Sequence, residues 1–176
     1  VIVPLVVRRE LVRPLGHAEE VRAGAAEAKA NGLAVVIWAY PRGGTLGTDA
    51  ETALDVVAYG AHLAAQLGAH IIKVKPPSAM IAEPGAKSAY ETGSSGWSSL
   101  ERRIAHVMQA SFGGRRLVIF SGGPARDDKA LLDEIKQIRD GGGHGSIVGR
   151  NAFQRPREEA LKLLDSIIRI HLGEDR

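Results

Sequence analysis

The stretch "HIIKVKPP", residues 70–77, carries Lys73 and Lys75 two positions apart in an otherwise apolar, β-branched run. Residues two apart in a strand share a face, so both ammonium groups project to one side while Ile72 and Val74 point to the other. Held close and partly out of water, each ammonium disfavours the other's charge. A lysine relieved of its proton becomes a nucleophile toward carbonyls, and a Schiff base is the chemistry on offer. A fraying strand end with both side chains reaching water, or pairing with acids of a neighbouring strand, satisfies the same pattern. The residues alone leave these readings open.

Other strand-like runs end in residues able to do chemistry. "AVVIWAY" (34–40) puts Trp38 and Tyr40 on one face, with Arg42 just beyond in "PRGG". "RLVIF" (116–120) leads into "SGGP", with Ser121, Gly122 and Gly123, and "GSIVG" (145–149) leads into "GRN", with Gly149 and Arg150. Backbone N–H groups, the start of a helix and a guanidinium together suit a phosphate, although glycine after a strand also serves simply as a turn. "GGTLG" (43–47) lacks the Lys-Ser/Thr ending of a P-loop, and neither G-x-G-x-x-G nor G-x-S-x-G occurs, so nucleotide binding and the α/β-hydrolase nucleophile have no support. The histidines lack metal-ligand spacing and read as structural or surface residues.

The elements that must position these groups alternate strand and helix. A helix over 17–32 precedes the first clear strand. Amphipathic stretches follow in "AETALDVVAYGAHLAAQLG" and "SSLERRIAHVMQASF". "DDKALLDEIKQIRDGGG" opens on capping aspartates and closes on glycine. "RPREEALKLLDSIIRIHLG" has Pro156 at its first turn and Gly173 at its end. This alternation predicts a parallel α/β sheet with functional groups at the carboxyl ends of its strands. Residues 76–97 read as one long irregular connection, either a binding loop or a disordered insertion. "VIVPLVV" at the start is a strand only at a sheet edge or a strand end, because Pro4 lacks a ladder donor.

The 176 residues suit one domain over 1–176, with 1–16 atypical. A net charge of +3 without a basic stripe gives no support for nucleic acid, and no apolar run reaches the roughly 20 residues that cross a bilayer. Cysteine is absent, which excludes disulfides and thiolate metal sites and allows a reducing cytoplasm. No targeting signal is read, and the absence of an initial methionine leaves room for an upstream segment.

The series "VVIWAYPRGG", "GAHIIKVKPP", "VIFSGGP" and "GSIVGRNAFQRP", in this order and spacing, resembles the last half of the archaeal-type class I fructose-1,6-bisphosphate aldolases, from about Ala28 to the end. The resemblance implies a (β/α)8 TIM barrel of which this chain covers about the last four βα units, strands five to eight. It implies Lys73 as the Schiff-base lysine, Tyr40 as the acid/base, and Trp38 and Arg42 as neighbouring active-site residues. Ser121, Gly122, Gly123, Gly149 and Arg150 would form the phosphate loops, and Lys75 would be the nearby cation that helps keep Lys73 deprotonated.

The implied reaction needs no metal and no cofactor. Its partner is a phosphorylated sugar, and its setting is a cytoplasmic homo-oligomer in glycolysis and gluconeogenesis. The family also uses an aspartate at the end of its first strand, and its first four βα units have no counterpart here. The alternatives are a related Schiff-base lyase or transferase on another phosphosugar, and a non-catalytic half-barrel fragment.

Overall fold

The computed structural model describes residues 2–5, 14–43, 46–92, 96–122 and 126–174. In chain order the elements are β1 (Ile2–Leu5), α1 (Pro14–Ala30), β2 (Val36–Ala39), a 3-10 turn (Thr48–Thr52), α2 (Leu54–Gln66), β3 (Ile71–Val74), α3 (Pro84–Thr92) and α4 (Leu100–Ala110). After these come β4 (Leu117–Ser121), α5 (Asp128–Asp140), β5 (Gly145–Ile147), α6 (Arg150–Phe153) and α7 (Arg157–Leu172). The five strands form one parallel sheet in sequential order. That is the order a run of βα units gives when each crossover returns the chain beside the strand it left. The expected α/β half-barrel is therefore what the chain forms, with one strand more than the four clear ones.

Among the described strands β1 pairs with β2 alone and so lies at an edge, the place in a sheet where a proline is tolerated. The helices start and stop where the sequence punctuates them. Ser99 and Asp127 accept the N–H of Arg102 and Ala130 at α4 and α5, and α7 ends on Gly173 in the left-handed conformation.

Period-two alternation divides the sheet into two unlike faces. Ile37, Ala39, Ile72, Val74, Val118 and Phe120 are fully buried against α2 and α4, whose contribution is Leu54, Val57, Ala58, Ala61, Ile104 and Val107. Alanine along α2 brings the helix close. Gly60 has its Cα so near the end of β2 that an added Cβ would touch Pro41 Cγ at 3.4 Å. A second cluster, Leu131 and Ile135 against Leu163, Ile167 and Ile170, joins α5 to α7. The other face carries Trp38, Lys73 and Ile119 in register across β2, β3 and β4, and at its lower edge Leu117 is 47% exposed.

Residues 76–97 depart from the expected irregular connection, because they contain α3. Pro84 and Gly85 read as breakers in the sequence, but proline fits a first helical turn, where its missing N–H would have no partner anyway. The segment is tied to the helix layer. Ser78 N–H and Oγ both donate to Thr52 O, and Leu54 N–H donates to Met80 O. The buried Asp55 carboxylate accepts from Ala82 and Glu83 N–H at the start of α3.

Candidate active site

Register builds the site. Trp38 and Lys73 are Cα partners on adjacent strands, so their side chains emerge level on the same face. Lys73 is 9% exposed, and its Nζ lies 3.7 Å from the centre of the Trp38 ring and 5.8 Å from that of Tyr40. An ammonium over an indole face is attracted by the ring quadrupole, most strongly where water is excluded. Among the described residues no carboxylate pairs with it.

Tyr40, tilted 6.2 Å from Trp38, reaches across β3, and its hydroxyl donates to Ser121 Oγ at 3.0 Å. Ser121 Oγ in turn donates to Val74 O at 3.2 Å. The phenol is thereby oriented by β4 and β3 together. Sequence alternation foresaw Trp38 and Tyr40 on one face of their strand, and the register places Lys73 beside Trp38. Sequence reasoning gave Ser121 a place beside a phosphate, whereas the structure shows its hydroxyl holding Tyr40.

Lys75 and Arg42, each just past the end of its strand, meet at a residue that sequence reasoning missed. Glu51, in the 3-10 turn, puts Oε2 3.2 Å from Lys75 Nζ and 3.8 Å from Arg42 Nε. Lys75 is therefore an ion-paired cation, and of the readings the sequence left open, pairing with an acid is the one it meets, with the acid supplied by a turn. No local pattern marks Glu51, since one acid in "TDAET" looks like any surface carboxylate. Glu51, Tyr40, Pro41, Val57 and Lys75 line a shallow crevice at the strand ends.

The ends of β4 and β5 carry the glycine motifs. Gly122 N–H donates to Ile147 O at 3.0 Å, so it completes the sheet and is not directed at a ligand. Gly123 lies outside the described residues. Gly149 precedes α6 and its carbonyl accepts from Ala152 and Phe153 N–H, while Arg150 beside it is exposed. The buried Asn151 was also missed. Its Oδ1 accepts Arg126 N–H at 2.8 Å, which ties the chain after β4 to the turn after β5. The "GRN" motif contained it, but the emphasis on phosphate fell on its neighbours.

The histidines are structural where their partners are visible. His70 and His144, each just before a strand, accept the N–H of Val35 and Val118 at Nδ1, and His62 donates from Nδ1 to Ala110 O. Among the described residues no three His, Cys, Asp or Glu converge as a metal site, and no helix is long and apolar enough to cross a membrane.

The sequence profile of a family described as "DeoC/LacD family aldolase" matches residues 16–155. A Halobacterium salinarum protein named fructose-bisphosphate aldolase class 1 is 34% identical over 144 residues, which is 82% of this chain and 45% of that protein. The solved fructose-bisphosphate aldolase of Slackia heliotrinireducens superposes with a TM-score of 0.73 at 27% identity, covering 98% of this chain and 52% of the other. An archaeal fructose-1,6-bisphosphate aldolase, solved with its catalytic lysine covalently bound to the carbinolamine intermediate, gives 0.69 at 25% identity, covering 91% and 53%. The chain spans about half the length of the relatives it matches.

Proposed function

Because the chain belongs to the DeoC/LacD family of aldolases, we propose that it carries the Schiff-base machinery of a class I, metal-independent aldolase. That enzyme cleaves fructose 1,6-bisphosphate reversibly to dihydroxyacetone phosphate and glyceraldehyde 3-phosphate. The observation that carries the reading is a buried lysine amine held on an indole face, with a fixed phenol next to it and no carboxylate partner among the described residues. A lysine meant only for solubility or ion pairing would not be placed so.

Lys73 Nζ adds to the C2 carbonyl, and loss of water gives an iminium. The iminium accepts the electron pair when the C3–C4 bond breaks, and so does the work a metal would otherwise do. Loss of the C4 hydroxyl proton releases glyceraldehyde 3-phosphate. Tyr40, aimed by Ser121, transfers the proton at the enamine carbon before hydrolysis frees the second product. Trp38 packs on the amine, and Arg42 and Lys75 face the anionic substrate. Ser121, Gly122, Gly149 and Arg150 border the phosphate end, where Arg150 is the exposed cation, and Gly123, outside the described residues, is assigned to the same end by the motif alone. The same reading takes residues 1–176 as one domain of a cytoplasmic homo-oligomer that meets phosphosugars in glycolysis and gluconeogenesis.

Borohydride trapping with dihydroxyacetone phosphate, followed by peptide mass mapping, tests the proposal. A reduced adduct on Lys73 supports it, and an adduct elsewhere sinks the assignment. One observation favours a second reading, a half-barrel that binds phosphosugar without turnover: Leu117 is 47% exposed on the sheet face that carries Lys73. A folded protein that binds dihydroxyacetone phosphate but forms no adduct decides for that alternative.

A further inference from the structure

Two lysines of the same strand reach the mouth of this site, and the structure treats them differently. Lys73 lies buried against Trp38. Lys75, two residues on, is 34% exposed at its side chain and has Glu51 Oε2 at 3.2 Å. By accessibility alone a carbonyl would reach Lys75 first. We propose that Glu51 is a positioning residue that decides which lysine reacts, holding Lys75 Nζ in an ion pair and leaving Lys73 Nζ, which has no carboxylate partner among the described residues, as the nitrogen available to a carbonyl. This rests on the Schiff-base reading for the identity of the reacting lysine, and adds the group that enforces it.

Three features support a built arrangement. The Glu51 side chain is 18% exposed, well below a free surface carboxylate, and the same oxygen lies 3.8 Å from Arg42 Nε, so it gathers the cations of two neighbouring strand ends. The turn that carries it is fixed, because the next residue, Thr52, accepts two hydrogen bonds from Ser78, and Leu54 N–H donates to Met80 O beyond it. Ser78 itself stands three residues after Lys75, so the strand end and the turn that polices it are sewn together. The chemistry is direct: imine formation requires a nitrogen lone pair with room for the carbonyl to approach it, and a nitrogen held against a carboxylate is engaged elsewhere.

The test uses formaldehyde with cyanoborohydride, which needs no sugar-phosphate site. The amine adds to the aldehyde, the carbonyl oxygen leaves as water, and the reductant delivers hydride to the iminium to leave a methylated lysine. Peptide mass mapping gives the Lys75 to Lys73 labelling ratio. The expected result is predominant labelling of Lys73 in the unaltered protein and a ratio raised about threefold or more in Glu51→Gln, the scale of losing one partly exposed ion pair. Glu51→Asp, which keeps the charge, should restore much of the original ratio, and Arg42→Gln, which spares the Lys75 partner, should leave it low. A ratio unchanged in Glu51→Gln, or Lys75 dominant before any substitution, overturns the inference. Parallel trapping with dihydroxyacetone phosphate keeps the two failures apart, since absence of any adduct there removes the aldolase reading while the formaldehyde ratio still decides the role of Glu51.

Discussion

Two clusters in this chain are assembled from the same parts, one tryptophan, one tyrosine and one basic side chain, and they do opposite things. At the strand ends, Lys73 Nζ lies over Trp38, and the Tyr40 hydroxyl donates to Ser121 Oγ. On the helix layer, Tyr90 of α3 and His106 of α4 share a hydrogen bond of 2.9 Å. Trp97 closes a triangle of rings 5.2–5.7 Å apart, and its indole N–H donates to Tyr90 O. Arg103 seals that cluster by donating to the carbonyls of Pro77, Trp97 and Ser98. The first cluster leaves its base without an anionic partner among the described residues, on the sheet face opposite the one packed against α2 and α4. The second satisfies its members against one another. The difference is that between a site and a clasp, and it is set by what the base touches.

The sharpest way to break the comparison is Lys73→Met. Trapping should vanish entirely while the protein stays folded, because an apolar chain of similar length replaces a buried amine, as mass mapping and circular dichroism would show. Tyr40→Phe should slow turnover about 10²–10⁴-fold, the usual share of a general acid/base, yet leave trapping on Lys73 intact. If trapping disappears with turnover, the phenol is shaping the pocket and not moving a proton. Tyr90→Phe probes the clasp: denaturant unfolding should show a loss of about 1 kcal/mol, with trapping on Lys73 retained.

pH separates the clusters further. Burial holds His106 below the ordinary histidine value of 6.5, and holds Tyr90 above 10.0, with Asp55 adding to the same direction. For His106 the unfolded chain binds the extra proton, so its contribution is present above pH 6.5 and is lost as pH falls through the depressed folded value. His171, lowered by burial and by Arg139, adds to the same acid limb. For Tyr90 the contribution is full below pH 10.0 and is lost as pH rises through the raised folded value. Unfolding measured across pH should show both limbs, and Tyr90→Phe should flatten only the alkaline one. The smallest effect is expected of Ser121→Ala. It frees the Tyr40 hydroxyl without removing it, and should slow turnover about tenfold or less with trapping unchanged.

The sequence contained the local half of this structure. Alternation in "AVVIWAY" put Trp38 and Tyr40 on one face of their strand, alternation in "HIIKVK" put Lys73 on the side opposite Ile72 and Val74, and strand register then made them neighbours. Asp127, Ser99 and Gly173 marked helix ends because capping involves only the next few residues. α3 escaped because its Pro-Gly start resembles a loop, and because what holds it, Asp55 and His106, lies 27 residues from Ala82 and 16 from Tyr90 in the chain. Reading the glycines of "SGGP" as free donors failed at Gly122, whose N–H belongs to a strand bond with Ile147 that only the β4–β5 pairing reveals.

By itself, then, the sequence determined the parallel βα order, the ends of most helices and the face that Trp38 shares with Tyr40, since each follows from a repeat of two or 3.6 residues and from side chains acting on adjacent backbone. Tertiary structure alone decided that Glu51 would meet Lys75 and Arg42, that Ser121 would hold Tyr40, and that the segment after β3 would be clasped to α4. Those contacts join residues 24, 81 and 26 positions apart, and which charge or hydroxyl lies within about 3 Å of another depends on how the layers pack, which no local period encodes.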